Sequence, residues 1–157
     1  MEPLSVAVHS VSTLGAFRTN QSVAVFGCGP IGLLCMAVAK ALGASRIIAV
    51  DINPDRLQFA KQYAATQTYL PVEANEGESA IDFIKRNAKH MKNQLQIDDR
   101  GERSIDLVVD ASGAEVSVQT AFYIAKAGGT FVQVEISVFD LGSLSKHFLR
   151  SGWAIQM

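Results

Sequence analysis

The chain alternates short apolar runs with stretches of helical periodicity, and this alternation predicts its architecture. The apolar runs predict buried strands over residues 23–26, 46–51, 65–71, 105–110 and 130–136. Apolar residues at three- and four-residue spacing predict helices over residues 30–42, 55–63, 79–88 and 115–127. Strands that alternate with helices predict an α/β fold, here a doubly wound parallel sheet with helices on both faces.

The two ends of the chain predict separate segments around that domain, which covers residues 23–136. Residues 1–22 predict a helix from Glu2, with Pro3 in its first turn, followed by a linker. Residues 137–157 are a divergent tail in which a sixth strand is predicted near Trp153. Within the domain, residues 89–104 mix both charges and are interpreted as a helix end and a loop, and the glycine pair at 128–129 is interpreted as a helix stop.

A glycine-rich turn, Gly-Cys-Gly-Pro-Ile-Gly at residues 27–32, joins the first predicted strand to the first predicted helix. In this position Gly27 permits a tight turn, Gly29 lets the backbone approach a pyrophosphate, and Gly32 lets the helix lie close to the strand. The N-terminus of the helix carries a partial positive charge that favours an anion. Alone, such a turn is weak evidence for binding, because many glycine-rich turns bind nothing.

An acid in the expected place strengthens the prediction. Asp51 ends the second predicted strand, nineteen positions after Gly32, where a dinucleotide fold needs a carboxylate for the adenosine ribose. The alternative is that Asp51 caps the next helix, a role for which Asn53 competes. A carboxylate here would repel the 2′-phosphate of NADP, so NAD is the predicted cofactor. Arg56 either contacts the adenosine or is a solvated arginine on a helix face, and its spacing leaves both open.

Composition narrows the remaining classes. The net charge of -1 and a pI near 6.3 argue against a nucleic-acid partner. No apolar run approaches a membrane span and no signal peptide is visible, so a cytoplasmic, reducing setting is predicted. Cys28 and Cys35 are interpreted as buried small apolar residues, not as a disulfide or a metal site.

Further segments complete a longer pattern, at residues 2–6, 33–40, 51–54, 110–115 and 128–134. Together with the glycine-rich turn, they resemble in this order the coenzyme domain of the zinc-dependent medium-chain polyol dehydrogenases. The resemblance is strongest to the xylitol- and sorbitol-type members, the D-xylulose reductases among them. It implies hydride transfer between a secondary alcohol of a polyol and NAD, with zinc as the Lewis acid.

The resemblance also implies roles for individual residues. It places the pyrophosphate on five residues of the turn, namely Gly27, Gly29, Pro30, Ile31 and Gly32. It places the ribose on Asp51 and Arg56, and brings the turn of Ala111, Ser112 and Gly113 near the cofactor. Glu2 matches a family acid in the zinc environment, although an acid in a first helical turn needs no metal.

The chain departs from the family in two respects. In the family the other zinc ligands come from a catalytic domain that precedes the coenzyme domain, and the sequence matches only the coenzyme domain. We therefore expect the catalytic domain to be absent, zinc not to be bound, and the chain to be inactive alone. Glu135 stands where related chains usually have glycine beside the nicotinamide.

Three hypotheses therefore stay open. The chain is the NAD-binding domain of a polyol dehydrogenase, which meets a polyol only if the catalytic domain is supplied. Alternatively, it is a non-catalytic NAD-binding module or inactive fragment, or an interaction module that uses an exposed apolar face. No membrane partner is expected, and a homo-oligomer is possible as in the family.

Overall fold

The computed structural model of the chain describes residues 2–134 and the backbone of residues 154–156. Its strands are β1 (Ser22–Phe26), β2 (Arg46–Val50), β3 (Gln67–Tyr69), β4 (Ile105–Asp110), β5 (Ala125–Gln133) and β6 (Ala154–Gln156). Its α-helices are α1 (Glu2–Val8), α2 (Pro30–Ala41), α3 (Pro54–Tyr63), α4 (Ala80–Leu95) and α5 (Glu115–Ile124). The predicted α/β fold is thus confirmed.

All six strands form one parallel sheet in the order β3-β2-β1-β4-β5-β6. The chain works outward from β1 in one direction to β3, and then crosses back to β4 on the other side of β1. Ligands of such sheets bind beyond the carboxyl ends of the strands at this reversal. The reversal between β1 and β4 therefore marks the place to look for a site.

Alternation along the strands divides the interior into two cores. Val23 and Val25 point to one core, which is shared with α1, α2 and α3. Ala24 and Phe26 point to the other, which is shared with α4 and α5. All five residues of β1 are buried, as expected for a central strand covered on both faces.

The glycine pair at residues 128–129 does not end a helix, contrary to the sequence-based interpretation. α5 ends at Ile124 and β5 begins at once with Ala125. The register against β4 shifts between Ile105 and Leu107, so the glycines lie in an irregular part of the strand. Gly128 has a φ of +75°, a conformation that glycine adopts without strain.

The segment interpreted as a helix end and a loop, residues 89–104, is confirmed: α4 ends at Leu95, and no helix or strand follows before β4. α4 continues to Leu95 because Ile84, Ala88, Met91 and Leu95 form one buried stripe at helical spacing. Charged residues on the exposed face had masked that stripe in residues 89–104. Ser79 caps the helix by accepting a hydrogen bond from the Asp82 N–H at 3.2 Å.

The described parts of the two chain ends agree with the elements predicted from the sequence. The predicted first helix is α1, and a π-helical segment, His9–Leu14, continues it. β6 confirms a sixth strand in the predicted region and pairs with β5. Glu135 and the rest of the tail lie outside the described residues.

Candidate functional site

The glycine-rich turn follows β1, at the point where the strand order of the sheet reverses. Each of its three glycines lacks a side chain for a different physical reason. Gly27 has a φ of +90°, and a Cβ there would lie 2.7 Å from the Ala111 carbonyl oxygen. A Cβ on Gly32 would lie 1.9 Å from the Gly27 carbonyl oxygen, so only glycine lets α2 approach the turn. Both glycines are therefore required by the fold itself.

Gly29 is different, because the protein does not need it to be glycine. A Cβ there would meet no atom within 4 Å, and its φ of −74° suits any residue. It precedes α2, and no side chain caps that helix. The turn thus leaves open space in front of a helix N-terminus, the arrangement that receives a phosphate group.

Asp51 lies directly after β2 and is held against this turn. The residue is 8% exposed, its Oδ2 accepts a hydrogen bond from the Cys28 N–H at 2.7 Å, and its Oδ1 accepts one from the Asn53 N–H at 2.8 Å. Asn53 itself caps α3 through the N–H groups of Asp55 and Arg56. The helix cap that was the alternative for Asp51 is thus supplied by Asn53.

The carboxylate of Asp51 keeps capacity for a ligand. Each carboxylate oxygen has two lone pairs, and each accepts one of the two backbone bonds above. Asp51 also lines a cleft of about 350 Å³ that opens beside Gly29. The sequence predicted a ligand contact for Asp51, but not that Asp51 would also fix the conformation of the turn.

The turn after β4 closes the same cleft from the other side. Asp110 is fully buried, and its Oδ1 accepts hydrogen bonds from the Ser112 hydroxyl at 2.7 Å and the Ser112 N–H at 3.2 Å. Gly113 has a φ of +65°, which lets the chain turn into α5. This turn holds Ala111 and Ser112 at the edge of the cleft.

Most of the predicted site residues meet in that one cleft. Its lining includes Gly27, Gly29, Pro30, Asp51, Arg56, Ala111 and Ser112. Arg56 is exposed on α3, so both of its predicted roles remain compatible with its place. The structure does not place the other three predicted residues, Ile31, Gly32 and Gly113, on the lining. Ile31 packs against the core beneath α2.

A second, more apolar cleft of about 460 Å³ adjoins the first and was missed by sequence reasoning. Five residues line both clefts, namely Val50, Ile52, Pro71, Ala114 and Ser117. Ile52 is 84% exposed, more than any other large apolar residue in the described part of the chain. Its position next to Asp51 at a strand end was the available signal.

Two buried cysteines accompany the site, as predicted. Cys28 and Cys35 are free thiols, 3% and 0% exposed. Burial, together with the negative charge of Asp51, raises the pKa of Cys28 to about 12, and burial raises the pKa of Cys35 to about 12. These thiols are poor nucleophiles and metal ligands at neutral pH.

The described residues do not fit a zinc ion. Among residues 2–134 no group of three or more His, Cys, Asp or Glu side chains is placed to hold a metal. Glu2 is an exposed carboxylate in the first turn of α1. Nor is any helix in the described part of the chain long and apolar enough to cross a membrane.

A parallel sheet of this order, with a glycine-rich turn and a carboxylate at its reversal, defines a Rossmann-type dinucleotide-binding domain. The model of the family described as "Zinc-binding dehydrogenase" matches residues 30–146. The chain therefore belongs to the zinc-binding dehydrogenase family.

Individual relatives agree with this assignment. Probable D-xylulose reductase A from Aspergillus niger is 53% identical over 133 residues, which are 85% of this chain and 34% of that protein. The corresponding protein from Arthroderma otae is 47% identical over the same shares of the two chains. The chain thus spans about a third of the length of these curated relatives.

Solved structures show the same fold. Alcohol dehydrogenase TADH from Thermus sp. ATN1 superposes with a TM-score of 0.68 at 28% identity, and galactitol-1-phosphate dehydrogenase from Escherichia coli with 0.71 at 26% identity. Each match covers 98% of this chain and 40% of the other.

Proposed function

We propose that this chain binds NAD in the cleft between β1 and β4, as the coenzyme part of a polyol dehydrogenase. The observation that carries the proposal is Gly29, whose missing side chain leaves open space at the N-terminus of α2 although the fold itself would accept one. A dinucleotide explains this glycine, because its pyrophosphate needs the backbone to come close.

The cleft residues have distinct tasks in this proposal. The turn from Gly27 to Gly32, which includes Pro30 and Ile31, would receive the pyrophosphate through its backbone and the α2 N-terminus. Asp51 would accept hydrogen bonds from the ribose hydroxyls, with Arg56 beside it. Ile52 and Pro71 offer apolar contact to the adenine, and the turn from Ala111 to Gly113 would run beside the cofactor.

The proposed reaction is interconversion of a polyol and a ketose, because the relatives above are named D-xylulose reductases. Bound NAD supplies a hydride acceptor for such chemistry. The described residues bind and orient this cofactor. They provide no metal group, so the chain alone should bind NAD without oxidising a polyol.

One titration and one assay test this proposal. The purified chain is titrated with NAD by calorimetry, and xylitol oxidation is followed by NADH absorbance with zinc present. NAD binding without NADH formation supports the proposal, and absence of NAD binding overturns it. NADH formation by the chain alone would show that the chain oxidises a polyol without a further domain, contrary to the proposal.

A second function, as an interaction module, is favoured by α1. Its apolar residues Leu4, Val6 and Val8 are 48%, 38% and 43% exposed. Leu4 and Val8 are four residues apart and so are neighbours on one face of the helix, and neighbouring exposed apolar side chains are typical of protein contacts. Self-association that depends on concentration and is lost in Leu4→Ser would support this function, and a monomer at all concentrations would oppose it.

A further inference from the structure

The outer wall of the cofactor cleft is a segment without helix or strand. The β3–α4 loop, residues 70–79, contains ten residues of turn and irregular backbone. Pro71 lines both clefts, and Leu70, Val72 and Glu73 line the larger one. The width of the adenosine side of the cleft therefore depends on where this loop is held.

Asn87 of α4 holds the beginning of the loop. It is 2% exposed, and its Oδ1 accepts hydrogen bonds from the Val72 N–H at 3.2 Å and the Tyr69 hydroxyl at 2.8 Å. Tyr69 is the last residue of β3 and is 1% exposed. One buried amide thus ties the strand end and the first part of the loop to α4.

Arg86, the preceding residue on α4, holds the rest of the loop. Its Nε and Nη2 donate to the two carboxylate oxygens of Glu78 at 2.8 and 2.7 Å, and its Nη2 also donates to the Glu73 carbonyl oxygen at 2.7 Å. Glu78 in turn accepts a hydrogen bond from the Asn75 N–H at 3.0 Å. A two-pronged pair of this kind fixes direction as well as distance.

The fixed loop has a consequence for affinity. A loop that must be ordered when its ligand binds costs free energy that a pre-ordered loop does not. Residues 70–79 include no helix or strand that would order them, so Arg86 and Asn87 do this from α4. Neither residue would have to touch the cofactor.

We propose that Arg86 and Asn87 are positioning residues of the cofactor site, which hold the β3–α4 loop so that Pro71 and Leu70 close the adenosine side of the cleft. This inference rests on the proposed NAD binding. It assigns to α4 control over how tightly, and how selectively, the adenine base is held.

The test compares two variants with a matched control in the full chain. Arg86→Gln and Glu78→Gln each remove one charge of the pair, and Glu78→Gln does so at nearly constant shape. Arg103→Gln removes an arginine whose Nε donates to Asp98 at 2.8 Å, just before the amino end of β4 and far from the cleft. Affinities for NAD, for AMP and for the ethenoadenine analogue of NAD, whose base carries an additional fused ring, are measured by calorimetry. Circular dichroism checks the fold of each variant.

We expect Arg86→Gln and Glu78→Gln to bind NAD and AMP more weakly, both ligands by the same factor of roughly three- to tenfold. This is the cost of ordering one or two additional side chains when the ligand binds. Both variants should also narrow the preference for NAD over the ethenoadenine analogue, because a loosened wall admits the wider base. Arg103→Gln should leave both quantities within about twofold of wild type. A general loss of stability would not change the preference between two bases.

Two results would overturn the inference, and they are distinguishable. If wild type binds NAD and the loop variants bind NAD and its analogue as wild type does, the positioning role is wrong while the proposed function stands. If wild type binds neither NAD nor AMP, the proposed function fails and the positioning role fails with it.

Discussion

Asp106 at the amino ends of the sheet is a partly buried carboxylate and Asp51 at the carboxyl ends is a buried one, and the contrast between these two residues distinguishes a candidate site from a structural contact. At the amino ends, Asp106 accepts hydrogen bonds from the Ser22 N–H at 2.8 Å and the Ser22 hydroxyl at 3.0 Å, and it pairs with Lys126. At the carboxyl ends, Asp51 accepts a comparable backbone bond from Cys28. Among residues 2–134, however, Asp51 forms no salt bridge, and it borders an open cleft.

This contrast separates two uses of the same chemical group. A buried carboxylate with a cation partner and several hydrogen bonds is already satisfied, so it stabilises the fold. A carboxylate held by backbone N–H groups beside open space keeps accepting capacity for a ligand. The carboxyl ends of the sheet therefore carry the features expected of a ligand site, whereas Asp106 at the amino ends is used in a structural contact.

The largest effect is expected from the glycine that the fold does not require. Gly29→Ala should weaken NAD at least about tenfold, because the new Cβ occupies the space in front of α2, while unfolding free energy changes by no more than about 1 kcal/mol. Gly32→Ala should instead destabilise the chain by about 1–3 kcal/mol, because its Cβ would overlap the Gly27 carbonyl. Calorimetric titration and urea unfolding measure the two effects. Unchanged NAD affinity in Gly29→Ala would contradict the binding role of the turn.

A smaller effect on NAD affinity is expected from replacing the carboxylate of Asp51, with Asp106 as the control. Asp51→Ser should weaken NAD binding by about tenfold, the lower end of the value of one hydrogen bond to a charged group, and should narrow the difference in affinity between NAD and NADP. Asp106→Asn is the control, since it should lower stability and leave NAD affinity within about twofold. Equilibrium titrations with both dinucleotides provide the comparison. An unchanged preference for NAD in Asp51→Ser would show that the ribose is held elsewhere.

The smallest effect is expected on the stability of the fold at acid pH, through the carboxylate of Asp106. Burial alone would raise the pKa of Asp106, but the hydrogen bonds from Lys126 and Ser22 outweigh it and hold this pKa below its usual value. Because the folded pKa lies below the unfolded one, the stabilisation is complete above the usual Asp pKa of about 4 and is lost as the pH falls below it.

Lys126→Met should therefore flatten this acid-dependent loss of stability, by removing the cation that depresses the pKa. Urea unfolding at several pH values between about 6 and 3 measures the slope. The same slope in Lys126→Met and in wild type would mean that the pair does not control the acid response of the amino ends.

Local motifs made the carboxyl ends of the sheet predictable. The turn from Gly27 to Gly32 and the acid at Asp51 lie at fixed spacings around one strand, so their meeting at the cleft could be read from the sequence. The wall of the cleft could not, because it depends on Arg86 reaching Glu78 and Glu73 across a loop. Contacts of this kind are set by tertiary packing and leave no periodic signal.

The error at residues 128–129 and the undetermined end of α4 have similar causes. A glycine pair after a helical pattern commonly ends the helix, which is why the sequence alone suggested a helix stop. In the structure, Gly128 and Gly129 instead accommodate the register shift of β5 against β4. In α4, charged residues concealed the buried stripe that ends at Leu95. In both places, neighbouring elements decided what local preference left ambiguous.

The most direct test of NAD binding at the glycine-rich turn is the map of amide chemical shifts when NAD is added to the isotopically labelled chain. If NAD binds at the glycine-rich turn, large changes are expected at Cys28, Gly29, Ile31 and Gly32, whereas Ser22 and Asp106, at the opposite ends of β1 and β4, should be unaffected. Absence of any change, or changes centred on Ser22 and Asp106, would contradict NAD binding at this turn.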